Sequence, residues 1–141
     1  MPAQLYPEPT VGGLIFNPEG NLFLMRSHKW HNMYTVPGGH IELGETMEQA
    51  LVREVKEETN LDIFDIKLIT HQEFIYDHEF WKKRHFIFFD FAARTKSTNV
   101  ILNDEAQDFI WVSLDEVFKL NLDKYTRTAI ERYIEKYGVE K

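Results

Sequence analysis

The segment Gly39-His40-Ile41-Glu42-Leu43-Gly44-Glu45-Thr46-Met47-Glu48-Gln49-Ala50-Leu51-Val52-Arg53-Glu54-Val55-Lys56-Glu57-Glu58-Thr59-Asn60-Leu61 is the most informative part of this 141-residue chain. Thr46 followed three positions later by Gln49 has the pattern of a capping box, in which side chains and backbone at a helix start satisfy one another. Asn60 marks the far end, because asparagine tolerates a left-handed backbone better than any residue except glycine. A helix from about Thr46 to Thr59 is therefore expected. At about 100° per residue, Glu54, Glu57 and Glu58 fall within an arc of about 100° on one helix face. Like charges so close destabilise an isolated helix by about 0.2–0.5 kcal/mol per pair unless a cation offsets them. Ligation by oxygen alone suits Mg²⁺ or Mn²⁺, with water and substrate phosphates completing the shell. Taken alone, an E-x-x-E-E run is more often a solvated acidic face, so the surrounding residues have to discriminate.

Upstream, Val11 to Phe16 and Leu22 to Met25 are apolar runs separated by Asn17-Pro18-Glu19-Gly20-Asn21, which predicts a β-hairpin. Downstream, Ile66 to Tyr76 and His85 to Ala93 are rich in Ile, Phe and Tyr and are expected to pair across the charged turn Asp77 to Arg84. Phe109 to Val112 predicts a short strand, after which Ser113 and Glu116 suggest a second capping box over a short helix. A final helix from about Lys124 to Tyr137 places Tyr125, Ala129, Tyr133 and Ile134 at helical spacing and stops at Gly138. Strands mixed with a central and a C-terminal helix point to an α+β fold, an α/β/α sandwich.

Composition narrows the function. A chain of this length with 43% hydrophobic and 14% aromatic residues can bury a core as one domain spanning 1–141. The net charge of −7 opposes binding to nucleic-acid backbones, while a small phosphorylated ligand remains compatible because a carboxylate-held cation reverses the local sign. With no cysteine there is no disulfide, thiol nucleophile or zinc-thiolate site, which suits a cytoplasmic setting. The first residues lack a secretory pattern, and apolar runs such as Phe86-Ile87-Phe88-Phe89 stop well short of the ~18 residues of a membrane span.

The pattern Gly39-x5-Glu45-x7-Arg53-Glu54-Val55-x-Glu57-Glu58-x-Asn60-Leu61 resembles the Nudix box, with Asn60 standing where the family has its last glycine. Val11-Gly12-Gly13-Leu14-Ile15, Tyr34-Thr35-Val36-Pro37-Gly38-Gly39, and Glu105 followed by Phe109-Ile110-Trp111-Val112 also resemble MutT-like members. The resemblance implies a Nudix fold, a mixed sheet carrying the box helix and a C-terminal helix. It implies hydrolysis of a diphosphate linkage in a nucleoside diphosphate derivative, with a (d)NTP-like nucleotide as the leading substrate. A dinucleoside polyphosphate hydrolase and an inactive nucleotide sensor are the alternatives.

Roles follow from the same resemblance. Glu54, Glu57 and Glu58 would bind Mg²⁺ or Mn²⁺ together with a backbone carbonyl at Gly38-Gly39, where glycine lets the backbone approach. Glu45 and Arg53 would hold the loop and helix together, orienting the metal-binding groups. Glu54, Glu57 and Glu105 are the candidate catalytic residues, with the general base open between Glu57 and Glu105, and Arg26 is a candidate phosphate contact through its planar fork. Tyr76 occupies the position where ADP-ribose hydrolases carry a proline, and dinucleoside polyphosphate hydrolases carry a tyrosine slightly further on. The six histidines show no i, i+4 metal pair. Phe74, Tyr76, Phe80 and Trp81 could stack on a base, although aromatics at strand spacing are usually core. The stretch His85 to Phe91 is a candidate homodimer interface.

Overall fold

The computed structural model describes residues 4–139. Its strands are β1 (Glu8–Phe16), β2 (Leu22–Arg26), β3 (Tyr34–Thr35), β4 (Gly38–His40), β5 (Ile63–Ile75), β6 (His85–Thr95) and β7 (Asp108–Val112). Two α-helices, α1 (Met47–Thr59) and α2 (Lys124–Tyr137), and two short 3-10 turns, His28–Trp30 and Val117–Lys119, complete it. The seven strands form one mixed sheet in the order β3-β2-β1-β6-β5, with β4 also pairing β1 and β7 pairing β2. Strands β1 and β6 run parallel from Glu8 opposite Phe86 to Phe16 opposite Arg94, while every other pairing between these strands is antiparallel.

Side chains alternate across a strand, so β1 and β2 each feed two separate cores. Val11 and Ile15 of β1, with Phe23 and Met25 of β2, pack against Ala50, Leu51 and Val55 of α1. The intervening Leu14, Phe16, Leu22 and Leu24 pack with Ala129 and Ile130 of α2 on the opposite face. The sandwich expected from the order of elements is thus present, one helix to each side of the sheet.

Local chemistry sets the helix ends. Thr46 Oγ1 accepts from Gln49 N at 3.1 Å and the Gln49 side chain accepts from Thr46 N at 2.9 Å, so the capping box of α1 is complete. Asn60 is left-handed, with φ 68°, and its amide donates to Lys56 O. Helix α2 is capped by Asp123, whose Oδ1 accepts from the amides of Tyr125 and Thr126 at 2.9 and 2.8 Å.

Two expectations need correction. Ser113 and Glu116 form no capping box: Glu116 N donates to the Ser113 carbonyl, the Glu116 side chain caps nothing, and it pairs with Lys119 instead. Strands β1 and β5 start three residues earlier than their apolar runs, because backbone pairing continues into Glu8-Pro9-Thr10 and Ile63-Phe64-Asp65, the latter with a bulge around left-handed Asp65. Strand β6 lies between β1 and β5, so both edges of His85 to Phe91 are paired within the sheet. Among the described residues no helix is long and apolar enough to cross a membrane.

Candidate active site

Two glycines bring the glutamate helix to the sheet. A Cβ on Gly38 would stand 2.0 Å from Val11 O, so only glycine lets β4 lie this close to β1. A Cβ on Gly39 would stand 2.5 Å from the Glu54 carboxyl carbon, so the Glu54 side chain rests directly on the β4 backbone.

Arg53 gathers the acidic groups around this junction. Its Nε donates to Glu45 Oε2 at 2.7 Å, Nη1 to Glu54 Oε1 at 2.9 Å, and Nη2 to the His40 carbonyl at 3.0 Å. Glu42 and Glu57 lie within ion-pair distance as well, at 2.9 and 3.4 Å. The Glu45 bond, foremost among these, holds Arg53 well above the ordinary arginine value, and reciprocally Glu45 is lowered. Loop, strand and helix are therefore cross-linked through one guanidinium.

Glu58 is the exceptional carboxyl, being only 2% exposed. Its Oε1 accepts from Gly38 N at 3.3 Å, and its buried Oε2 receives no hydrogen-bond donor among the described residues. Burial, then the adjoining Glu54 carboxyl through hydrogen bonding and charge, and more weakly Glu105, push Glu58 well above the ordinary carboxylate range, against the Gly38 amide. Such a group is unstable as an isolated anion and would be relieved by a cation. The donors on offer are oxygens throughout, which fits Mg²⁺ or Mn²⁺.

Glu105 reaches this corner because its loop is tied to the end of α1. Ile101 N donates to the Thr59 carbonyl at 3.0 Å and Asn103 N to the Glu58 carbonyl at 3.2 Å, while the Glu105 carboxylate pairs with Lys29.

A cavity of about 260 Å³ opens from Gly38, Gly39, Glu54, Glu58 and Glu105 and runs along the α2 side of the sheet. Trp30, Phe80, Phe86, Phe88 and Tyr125 line its other end, with Asp90 among them. The structure thus gathers Glu54, Glu58, Glu105 and Gly39 around one cavity. Glu57 does not line it: its side chain is 57% exposed and turned toward Arg53. Among the described residues no group of three or more His, Cys, Asp or Glu side chains is already arranged around a point as an ion would require.

Arg26 also stands apart from the cavity. Its Nε donates to Asp108 Oδ1 at 2.8 Å, a second guanidinium nitrogen engages Oδ2, and the group lies over the Tyr34 ring. The aromatic candidates divide: Phe74 is fully buried core, Phe80 lines the cavity, and Tyr76 and Trp81 are exposed. The sequence reading missed Lys29, Trp30, Phe88, Asp90 and Tyr125 as cavity residues. A readable signal existed for Asp90, a carboxyl in line with Phe86, Phe88 and Ala92 on one strand face.

Comparison with known proteins completes the picture. The NUDIX domain family model matches residues 6–133. The NAD-capped RNA hydrolase NudC of Pectobacterium atrosepticum is 36% identical over 75 residues, covering 52% of this chain and 29% of that protein. The chain thus spans less than a third of the length of that relative. The RNA pyrophosphohydrolase of a Wolbachia pipientis strain is 26% identical over 124 residues, covering 77% of this chain and 76% of that protein. Among solved structures, the MutT NUDIX hydrolase from Burkholderia pseudomallei superposes with a TM-score of 0.77 at 23% identity, covering 91% of this chain and 98% of that one. A family match over nearly the whole chain, together with the shared fold, shows that the protein belongs to the Nudix hydrolase family.

Proposed function

We propose that the chain hydrolyses a diphosphate linkage in a nucleoside diphosphate derivative, a (d)NTP-like nucleotide first among them. One observation carries the reading: a single cavity joins the buried Glu58 carboxyl, one oxygen of which is unsatisfied, with Glu54 and Glu105 beside it, to an aromatic lining. A phosphate chain needs the first and a base with its sugar is served by the second.

Glu54, Glu58, the Gly39 carbonyl and, after its side chain swings from Arg53, Glu57 would hold Mg²⁺ or Mn²⁺. When bound, the cation neutralises phosphate charge and makes water easier to deprotonate. Glu58 contributes an oxygen that receives no donor among the described residues, and the Gly38 amide donates to its other oxygen. Glu45 and Arg53 keep the Gly39 backbone and Glu54 in register, acting through other groups rather than on substrate. Glu54, Glu57 and Glu105 are the candidates to take the proton of the attacking water. Lys29, paired with Glu105 inside the cavity, would meet substrate charge more directly than Arg26, which Asp108 occupies.

The relatives' names widen the panel for the test. Purified protein with Mg²⁺ or Mn²⁺ is offered canonical and oxidised (d)NTPs, ADP-ribose, NAD, dinucleoside polyphosphates and a 5′-triphosphorylated RNA oligonucleotide. Cleavage within the diphosphate is expected, with water entering at phosphorus, the glycosidic bond intact and (d)NTP-like substrates ahead of ADP-ribose. If none is cleaved with either metal while a nucleotide still raises the melting temperature, the protein is a nucleotide sensor instead.

A further inference from the structure

Asp90 is a buried carboxyl that the proposed reaction does not use. On β6 it follows Phe86 and Phe88 at alternate positions, so all three face the cavity from one side of the strand. Directly across the parallel pairing stands Gly12, and a Cβ there would lie 3.9 Å from Asp90 Oδ1 and 3.3 Å from a Val36 methyl. A side chain at this position would crowd Val36 and reach toward the carboxyl, so glycine keeps Asp90 Oδ1 uncovered from this side.

The two oxygens of Asp90 differ. Oδ2 accepts from Gln72 Nε2 at 2.9 Å, and the same amide nitrogen donates to the Tyr125 carbonyl at 2.9 Å. Oδ1 accepts no hydrogen bond among the described residues. Asp123, the other buried acid at this end, has no such spare capacity, because Oδ1 caps α2 and Oδ2 accepts from Thr126 Oγ1 at 2.7 Å. Burial, with Asp123 nearby, raises Asp90 to about 7 against the Gln72 bond, so at pH 8 most of it is a carboxylate short of donors. Buried polar groups usually have partners.

The neighbours are flat and apolar. Trp30 lies 5.0 Å from Phe80 and 6.1 Å from Phe88 between ring centroids, and Phe88 lies 5.4 Å from Tyr125. An aromatic lining with one under-bonded acceptor selects a planar ring that presents N–H groups on its edge. Guanine presents two adjacent donors there, the ring N–H and the exocyclic amine. Adenine sets its amine beside a ring acceptor, and uracil flanks its N–H with two carbonyls, so each turns an acceptor toward the carboxylate.

We propose that this end of the cavity is a base subsite in which Asp90, held by Gln72, determines specificity by accepting from the donor edge of guanine. The proposal rests on the reading of the cavity as a nucleotide site and assigns its preferred base. A hydrogen bond to a charged acceptor is worth about tenfold or more in affinity.

The test measures binding of GMP, AMP and UMP at pH 8 without added metal, by titration calorimetry, to the wild type, Asp90→Asn and Phe88→Leu. Circular dichroism and melting confirm folding. The wild type should bind GMP at least about tenfold more tightly than AMP or UMP. Asp90→Asn keeps the shape and an acceptor for Gln72, and should lower GMP affinity about tenfold while leaving AMP nearly unchanged. Phe88→Leu should weaken all three together. No GMP preference in the wild type, no binding of any monophosphate, or the same preference in Asp90→Asn would overturn the subsite. A flat base ranking with diphosphate hydrolysis intact removes the subsite alone. A preserved ranking with no hydrolysis removes the hydrolase reading alone.

Discussion

Asn60 and Asp90 show how single residues carry information of different kinds. Asn60 sits at φ 68° where a helix must turn away, and its Nδ2 donates to Asn99 O at 3.0 Å. Asn60→Gly should be close to neutral, because a better backbone fit is set against that lost bond. Asn60→Val should destabilise by about 1–2 kcal/mol, since a β-branched residue resists the left-handed region. Equal melting temperatures for the two variants would contradict this account of the helix end. For Asp90 the sign follows from its raised folded-state value. The native state holds the proton more tightly than the unfolded chain, whose carboxylate titrates near 4. Stability from this residue is therefore full below about pH 4 and is lost as pH rises to about 7. Across that window Asp90→Asn should gain roughly 2–4 kcal/mol relative to wild type, from about 1.4 kcal/mol per pKa unit. Urea melts at pH 4.5, 6 and 8 check it, and a constant difference between the two proteins would refute the burial argument.

At the scale of elements, α1 is held by its cap and by one buried stripe. Leu51 is fully buried, and a Cβ on Gly13 would already stand 3.1 Å from its Cδ1, so helix and strand meet with no room to spare. Leu51→Ala should therefore cost about 2–5 kcal/mol. Thr46→Ala removes one capping bond and should cost about 1 kcal/mol, both readable by chemical denaturation. A Leu51→Ala cost no larger than that of Thr46→Ala would mean that packing on β1 is not what fixes the helix. Helix α1 was legible in the sequence because its signals are local, within four residues of one another. The false capping box at Ser113 shows the limit of that approach: the spacing was right, yet Glu116 pairs with Lys119 instead. Bulges and early strand starts escaped because they depend on the partner strand.

Across the whole molecule the distinction is between box and cavity. The carboxylates of α1 were visible as a pattern, and Glu54 and Glu58 indeed line the cavity with Gly39 and Glu105. What sequence could not supply is distance: the Lys29 pairing with Glu105 joins residues 76 positions apart, and the aromatic lining comes from β6, α2 and two loops. Nor does spacing show that Glu58 is nearly inaccessible while Glu57, one residue away, faces solvent beside Arg53. The role proposed for these carboxylates is to serve a cation-dependent hydrolysis. It is tested most directly by initial rates on a cleaved nucleotide across a Mg²⁺ titration, for the wild type, Glu57→Gln and Glu58→Gln. An amide keeps the shape and loses the charge, so each variant should fall at least about a hundredfold, equivalent to about 2.7 kcal/mol of transition-state stabilisation, while remaining folded by circular dichroism. Near-normal rates in both variants, with unchanged dependence on Mg²⁺, would contradict it.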